Sequence, residues 1–212
     1  MTDAAFSLFA SQGYDETSVD DIVAEAGAGR TSFFRQFGSK ESVIFPDHDA
    51  LLVLVEQRLR STTEKSALRA VADAVRLVLF HYVAEGDKAR QRYALTSTVE
   101  TLKDRELVSG ARYQRLFRRY LSTWGEGSEE SELRAEMMAA AVVAAHNRVL
   151  RRWLRSECDD PQAEVDAALE SVITTFSAPA DVAPAILIVS SGASMEDVAA
   201  SVRRVVGNEG LS

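Results

Sequence analysis

The sequence predicts an all-α protein, with short helices at its N-terminus and longer helices after them. Apolar residues recur at i, i+3, i+4 and i+7 in one segment after another, which is the period of an amphipathic helix. Helix start and stop signals separate these segments, as with Ser18 followed by Asp21 and with Gly27. The 212 residues are 46% hydrophobic and include only four prolines, which suits a helical globular protein.

The first predicted helix runs from about residue 3 to residue 12 and ends at Gly13 and Tyr14. Ala5, Leu8 and Phe9 recur at helical spacing, so we expect them to form its inner face. This face would pack against the two helices that follow it. The N-terminal segment is therefore predicted to form a three-helix core.

Residues 17–40 are predicted to form two short helices joined by a tight turn. Ser18 and Asp21 have the spacing of a capping box, in which the hydroxyl accepts a backbone N–H and the carboxylate favours the helix start. Gly27 supplies the positive φ that ends the first of these helices. The apolar face of that helix consists of Val19, Ile22, Val23 and Ala26.

The second helix of the pair is predicted to begin near Gly29, with Phe33 and Phe37 one turn apart on its inner face. Gly38 ends it, and Ser39 is placed to cap the next helix. Two helices joined by a glycine-bearing turn form a helix-turn-helix, whose second helix can lie in a DNA major groove. A helical hairpin with no DNA role is the alternative. The residues left for the outer surface are Arg30, Thr31, Phe34, Arg35 and Gln36.

The order T-S-x-x-x-I-x-x-x-A-G-x-x-x-x-x-F-F-R-x-F-x-S-K-E, preceded by LFASQGYDETS, resembles the DNA-binding domain of the tetracycline-repressor (TetR) family. The resemblance covers about the first quarter of the chain. It implies an N-terminal three-helix domain that binds double-stranded DNA as part of a homodimer. The residues it places at the DNA are Thr17, Ser18, Arg30, Thr31, Ser32, Phe34, Arg35, Gln36 and Lys40.

Four positions in this motif bear on DNA binding. Gly29 stands where the family usually has a polar cap, and Phe34 stands where it often has a tyrosine that hydrogen-bonds a phosphate. The tyrosine contact should therefore be missing. Gln36 replaces a common aromatic or histidine, and since glutamine can bind adenine bidentately, base preference is expected to shift toward A·T pairs. Lys40 matches the lysine that meets a backbone phosphate.

The charge of the N-terminal domain is unusual for a DNA-binding segment. The whole chain carries a net charge of −8, and residues 1–46 contain three basic residues against seven acidic ones, a net charge of −4. Family members often carry a basic arm before the first helix, whereas this sequence begins almost inside that helix. Either the start is shortened or phosphate attraction is weak, and both predict an affinity that falls quickly with salt.

The remaining chain is predicted to be helical up to about residue 177. Pro46 removes a backbone donor, so it is expected to break or kink a helix that starts at Lys40 and continues to about residue 60. After residue 177 the composition changes to a linker, followed by a short last helix over 194–207. The intervening helices are predicted at about 67–84, 88–101, 106–124, 132–156 and 162–176.

We therefore expect three segments: a helix-turn-helix domain over 1–46, a ligand-binding and dimerisation domain over 47–177, and a C-terminal extension over 178–212. The resemblance implies an effector held inside the bundle of the second segment. An aromatic-rich bundle with few internal charges suits an apolar or aromatic small molecule rather than a strongly anionic one. Filling of the core is the alternative role for the expected lining residues, which are His81, Tyr93, Tyr113, Phe117, Trp124 and Met137.

The stretch MMAAAVVAA, residues 137–145, is apolar around its whole circumference if it is helical. Such a helix must be covered on both sides, and a second subunit is the natural cover for one of them. In the family the last two core helices pair with their symmetry mates in a four-helix interface. The residues expected in this interface are Met138, Val142, Ala145, Val149, Val165, Leu169, Val172 and Phe176.

Other function classes find little support in the sequence. Its three histidines lie far apart and no metal-binding or nucleophile motif is present, so we expect no enzyme activity, no metal and no cofactor. No signal peptide is apparent, and the longest apolar run is far below the roughly 18 residues of a membrane span. The single cysteine, Cys158, suits a reducing cytosol, so a cytoplasmic location is expected.

Together, the motif and the helical bundle predict a ligand-responsive transcriptional regulator. We expect a repressor that binds a near-palindromic operator as a dimer and is released by a small-molecule effector. The acidic N-terminal domain keeps a second hypothesis open. In that alternative, the chain is a helical small-molecule-binding or interaction protein whose DNA binding is weak or lost.

Overall fold

The computed structural model describes residues 1–45, 48–63 and 66–177. Within these ranges the chain is helical and contains no β-strand, as the sequence predicts. Residues 1–176 form one compact unit. The expectations for Pro46 and for the segment 178–212, including its short helix, lie outside the described residues.

Three helices form the N-terminal domain: α1 (Thr2–Gln12), α2 (Val19–Glu25) and α3 (Arg30–Phe37). The inner face of α1 consists of Ala5, Phe6 and Phe9, and Leu8 is only half-buried. The sequence expectation had Leu8 in place of Phe6. Phe6 faces inward instead, and its ring packs edge to face on Phe9 at 6.2 Å between ring centroids.

A short 3-10 helix, Glu41–Val43, follows the N-terminal domain and α4 (His48–Arg60) comes after it. The bundle continues with α5 (Ala67–Glu85), α6 (Asp87–Thr98) and α7 (Glu100–Ser122). Two further helices complete it, α8 (Glu129–Leu154) and α9 (Pro161–Ser177). Ser66 and Ser128 cap α5 and α8 by accepting backbone N–H groups, which satisfies donors that have no partner within the helix.

The boundary between α6 and α7 differs from the sequence prediction. We expected a helix ending near Thr101 and another beginning at Glu106, but the break is at Val99, the single extended residue between the two helices. Leu102 lies in the first turn of α7 and is fully buried. The charged residues around it obscure the apolar periodicity, which is why the sequence did not show this turn.

Two hydrophobic cores hold this unit together. The core of the N-terminal domain includes Phe9, Ile22 and Phe33, and Leu102 from α7 completes it. The larger core lies among the helices of the bundle and includes Leu79, Phe117, Val142 and Leu169. Because Leu102 belongs to the first core, the bundle contributes directly to the packing of the N-terminal domain.

Candidate DNA interface and ligand cavity

The start of α2 is fixed by hydrogen bonds that engage two of the predicted DNA-contact residues. Asp21 N donates to Ser18 Oγ at 3.1 Å, and Ser18 N donates to Asp21 Oδ2 at 2.8 Å, so the predicted capping box is present. The Ser18 hydroxyl also donates to Asp21 Oδ2 at 2.6 Å, and this bond, together with the one from Ser18 N, lowers the pKa of the Asp21 carboxyl. Thr17 is buried, and its hydroxyl donates to Gly13 O at 2.7 Å. Both side chains stabilise the helix-turn-helix itself.

The outer face of α3 exposes most of the predicted base-contacting side chains. Thr31, Phe34, Arg35 and Gln36 are exposed, whereas Ser32 is half-buried. On the opposite face, Phe33 is fully buried. The helix therefore presents a polar surface of about two turns that is held from behind by the aromatic core.

Arg30 makes an ion pair across the two helices of the motif. Its Nη1 donates to Asp20 Oδ1 at 2.6 Å and Oδ2 at 2.7 Å, and its guanidinium lies 5.4 Å from the centroid of the Phe34 ring. Both charged side chains of the pair remain more than half exposed. Arg30 is thus on the surface, but its charge is already matched by an acid from α2.

Lys40 is held against the turn that precedes α2. Its Nζ donates to Tyr14 O at 2.8 Å and Thr17 O at 2.9 Å, and it lies 4.2 Å from the centroid of the Tyr14 ring. A lysine ammonium carries three donors, so these two bonds leave one for a further acceptor. Lys40 joins the segment after α3 to the segment before α2.

A cavity of about 540 Å³ lies in the bundle among α5, α6, α7 and α8. The apolar part of its wall consists of Ala89, Tyr93, Val143, Leu150 and Leu154. Charged and amide side chains share the lining with them. These polar lining residues are Arg92, Lys103, Glu106, Gln114, Asn147 and Arg151.

The structure places few of the predicted ligand-lining residues at this cavity. Tyr93 lines it, and Tyr113 lines a smaller chamber beside it. Phe117 is fully buried in the bundle core, and His81 stacks edge to face on Tyr82 instead of lining either space. Trp124 and Met137 are about half exposed, because Trp124 lies in the turn after α7 and Met137 lies on a side of α8 that no neighbouring helix covers.

The smaller chamber, of about 40 Å³, adjoins the main cavity and shares six of its lining residues. Its walls include the buried polar residues Ser109 and His146, and Tyr113. Sequence reasoning missed Glu106 and Asn147, since polar residues on amphipathic helices are usually solvated. The burial of His146 could have been predicted from the sequence. It lies four residues after Val142 and three before Val149, which places it on the buried face of α8.

Arg92 connects the cavity with the N-terminal domain. Its Nε donates to Ile44 O at 2.6 Å, and its two terminal nitrogens each donate to Glu85 carboxylate oxygens at 2.7 Å. The Arg92 side chain is only 6% exposed and also lines the cavity. Ile44 is fully buried in the core of the N-terminal domain. A single side chain therefore contacts both the cavity and the segment that follows α3.

The residues predicted for the dimer interface divide into two groups. Half of them are only half-buried in the single chain and retain surface for a partner, namely Met138, Ala145, Val172 and Phe176. The other half are buried in the core of the bundle: Val142, Val149, Val165 and Leu169. This second group points inward because α8 and α9 pack their most apolar faces against their own bundle.

A different stripe of α8 is exposed. Leu133 is 58% exposed and Met137 is 52% exposed, and Ala144 lies further along the same side of the helix. These positions are separated by four and seven residues, so they share one face. Large exposed apolar side chains in a row are typical of an interaction surface.

The described residues offer neither a metal site nor a membrane-spanning helix. In these ranges no three His, Cys, Asp or Glu side chains are grouped so that they could hold a metal ion. Among the helices described, none is both long enough and apolar enough to span a membrane.

Comparison with known sequences assigns the N-terminal domain a family. Residues 1–45 match the sequence model of the bacterial regulatory proteins of the tetR family. MftR of Mycobacterium tuberculosis, named for regulation of mycofactocin biosynthesis, is 24% identical over 176 residues. That alignment covers 81% of this chain and 87% of MftR.

Solved structures share the fold over most of the chain. A TetR-family regulator from Syntrophomonas wolfei aligns with a TM-score of 0.60 and 18% identity, covering 85% of this chain and 95% of the other. The repressor FadR from Thermus thermophilus, solved with lauroyl-CoA, aligns with a TM-score of 0.54 and 18% identity. In that case the alignment covers 91% of this chain and 96% of FadR. The arrangement of α1–α9 is thus one that known regulators adopt.

Proposed function

Because this chain belongs to the TetR family of transcriptional regulators, we propose that it represses transcription from a near-palindromic operator. It binds that operator as a homodimer and leaves it when a small molecule occupies the bundle cavity. The observation that carries this proposal is Arg92, which contacts both the cavity and Ile44 of the N-terminal domain. Its action on DNA would take place in the cytoplasm, and we infer that it works by binding rather than by catalysis.

DNA contact would centre on the exposed face of α3. Arg35, Gln36 and Thr31 are exposed there and are free to meet base edges in a major groove. Lys40 would give its third N–H to a phosphate while keeping its two carbonyl partners. Thr17, Ser18 and Ser32 would mainly hold the motif in shape, and Phe34 would contact DNA without a hydroxyl group to bind phosphate.

The ion pair between Arg30 and Asp20 competes with DNA for the same guanidinium. We predict that Asp20→Asn raises operator affinity by about three- to tenfold at low salt, because it frees one cation and removes one repelling charge. The slope of log affinity against log salt concentration should become steeper by about one, because one more counterion is released on binding. Fluorescence anisotropy with labelled operator at several salt concentrations measures both effects.

Glu25→Gln is the matched control for this prediction. It removes one exposed acid from the same helix, and Glu25 makes no ion pair with Arg30. A gain in affinity equal to that of Asp20→Asn would mean that only net charge matters. In that case Arg30 would have no specific role at the DNA.

Dimerisation would use the exposed stripe of α8 together with the outer face of α9. Leu133, Met137 and Ala144 supply apolar surface, and Met138 and Phe176 lie at its side half-buried. Obligate interfaces typically bury upwards of about 2,000 Å² and are rich in apolar area. This proposal keeps the two helices predicted from sequence and changes which of their faces meets the partner.

The effector would lie in the cavity of about 540 Å³, a volume in the range of small-molecule sites. FadR, whose fold is similar, was solved with lauroyl-CoA. A ligand that moves Arg92 would alter the hydrogen bond at Ile44 and with it the position of the N-terminal domain. By linkage, operator binding would weaken effector binding by the same factor.

The experiment that tests this function is selection of bound duplexes from a random DNA pool at low salt. We predict enrichment of a near-palindrome, and a loss of about 1–3 kcal/mol of binding free energy for Arg35→Ala or Gln36→Ala, confined to one position of each half-site. Arg118→Ala, an exposed arginine on α7, is the control and should leave binding unchanged.

A second candidate function is supported by the charge of the N-terminal domain. Its net charge is −4, and two of its three cations, Arg30 and Lys40, already have protein partners. A helical small-molecule-binding or interaction protein with lost DNA binding would fit these facts. If no duplex is enriched at low salt while ligands still bind the bundle, this second function is the correct one.

A further inference from the structure

The small chamber beside the main cavity contains two polar atoms that the protein leaves without a partner. Glu106 Oε2 comes from α7 and His146 Nε2 from α8, and each is inaccessible to solvent and makes no hydrogen bond with the described residues. Both residues line the chamber, and His146 is only 4% exposed. Buried polar atoms without partners are costly, so a pair of them at one cavity indicates that a ligand group satisfies them.

Both atoms are hydrogen-bond acceptors when Glu106 is ionised. His146 Nδ1 lies 3.1 Å from Asn147 Oδ1, and since an amide oxygen only accepts, the proton is assigned to Nδ1 and Nε2 keeps its lone pair. Burial lowers the pKa of His146 to about 4, so the ring is neutral at neutral pH. Burial also raises the pKa of Glu106, while the charge of Arg92 and a hydrogen bond from Tyr82 to the carboxylate act in the opposite direction.

We propose that this chamber binds an ammonium group, so that the effector is an amphipathic primary amine held between Glu106 and His146. This inference rests on the proposed function and names the chemistry of its ligand. An ammonium group has three donors and a positive charge, so it can satisfy both acceptors and keep the Glu106 carboxylate ionised. A hydroxyl has a single donor, and a carboxylate would place acceptors against acceptors.

The size of the chamber fits this group. Its volume is about 40 Å³, and a water molecule occupies roughly 30 Å³ of liquid. One small head group therefore fills it, and the rest of the ligand must extend into the main cavity. There the apolar wall formed by Ala89, Leu150 and Leu154 suits a hydrocarbon or aromatic body.

Two cations at the solvent-open edge of the main cavity restrict the tail of the ligand. Lys103 and Arg151 line the cavity and are both exposed, so they mark the side that is open to solvent. Two cations there repel a second ammonium group at the far end of the ligand. The site should therefore select amines with one positive charge and an uncharged or anionic tail over diamines.

The test uses four eight-carbon probes on the full chain at neutral pH: octylamine, octanol, octanoate and the diamine with an amino group at each end. Isothermal titration calorimetry should show octylamine binding about tenfold or more tightly than each of the others. Glu106→Gln keeps the shape of the side chain and should remove that preference. Glu136→Gln, an exposed acid on α8, is the matched control and should retain it.

Several results would overturn the amine site. They are octanol or octanoate binding as tightly as octylamine, no binding of any probe, and a Glu106→Gln variant that is folded by circular dichroism and still prefers the amine. If Glu106→Gln does not fold, the ranking of the four probes on the natural chain decides the question alone. Operator release is measured separately: octylamine that binds without releasing DNA contradicts the effector role and leaves the amine site standing.

Discussion

Val142→Asp is expected to destabilise the fold strongly, whereas Met137→Asp, five residues earlier on α8, is expected to leave the protein folded and to disrupt its dimer. Val142 is fully buried in the bundle core, and Met137 is 52% exposed on the opposite side of the helix. An unpaired carboxylate in a core costs several kcal/mol, so Val142→Asp should lower the free energy of unfolding by about 4 kcal/mol or more. That is a large share of the usual total of about 5–15 kcal/mol.

Urea unfolding followed by circular dichroism measures the first effect, and light scattering at micromolar concentration measures the second. Leu54→Asp is the control for Met137→Asp, since Leu54 is a comparably exposed apolar residue on α4. It should leave the chain dimeric. A dimeric Met137→Asp protein would show that the exposed stripe of α8 is not in the interface. A folded but monomeric Val142→Asp protein would show that Val142 lies in the interface.

Replacing Arg92 by methionine should have the second largest effect. The change leaves the Glu85 carboxylate without its bidentate partner and removes the donor to Ile44 O. Breaking one side of a buried ion pair typically costs about 3–5 kcal/mol, and Glu85 is 23% exposed, so we expect a loss of about 3 kcal/mol in the free energy of unfolding. Hydrogen exchange should also quicken around residues 41–45.

Arg69→Met is the matched control, because Arg69 makes a similar two-nitrogen pair with Glu170 on an exposed surface. Its loss should cost only about 0–1 kcal/mol. Adding Glu85→Gln to Arg92→Met should recover part of the stability, since it removes the stranded charge. Equal effects of Arg92→Met and Arg69→Met in urea unfolding would refute the structural role given to Arg92.

Local features of the fold could be predicted from the sequence because they depend on residues within one or two helical turns. The capping box of Ser18 and Asp21 and the inner-face pair Phe33 and Phe37 are of this kind. Their partners are three or four residues away, where helical geometry alone sets the contact. The class of fold and the helix-turn-helix followed from such signals.

The cavity and the interface could not be predicted in the same way, because they depend on which helix covers which face. Glu106 looks like a solvated acid of an amphipathic helix, and it is the fold of α7 against α5 and α8 that buries it. Met137 looks like a core residue, yet its side of α8 is left uncovered in the single chain. The hydrophobic period shows which face of a helix is apolar, but it does not show which other helix packs against that face.

Leu102 has a consequence for how far this protein can be divided or recombined. It fills the core of the N-terminal domain although it lies in α7, and Arg92 in α6 donates to Ile44 of the same domain. A fragment ending at residue 46 would lack both, so it should be poorly folded by itself. Chimeras that give this DNA specificity to another bundle would have to carry residues 92–102 along with residues 1–46.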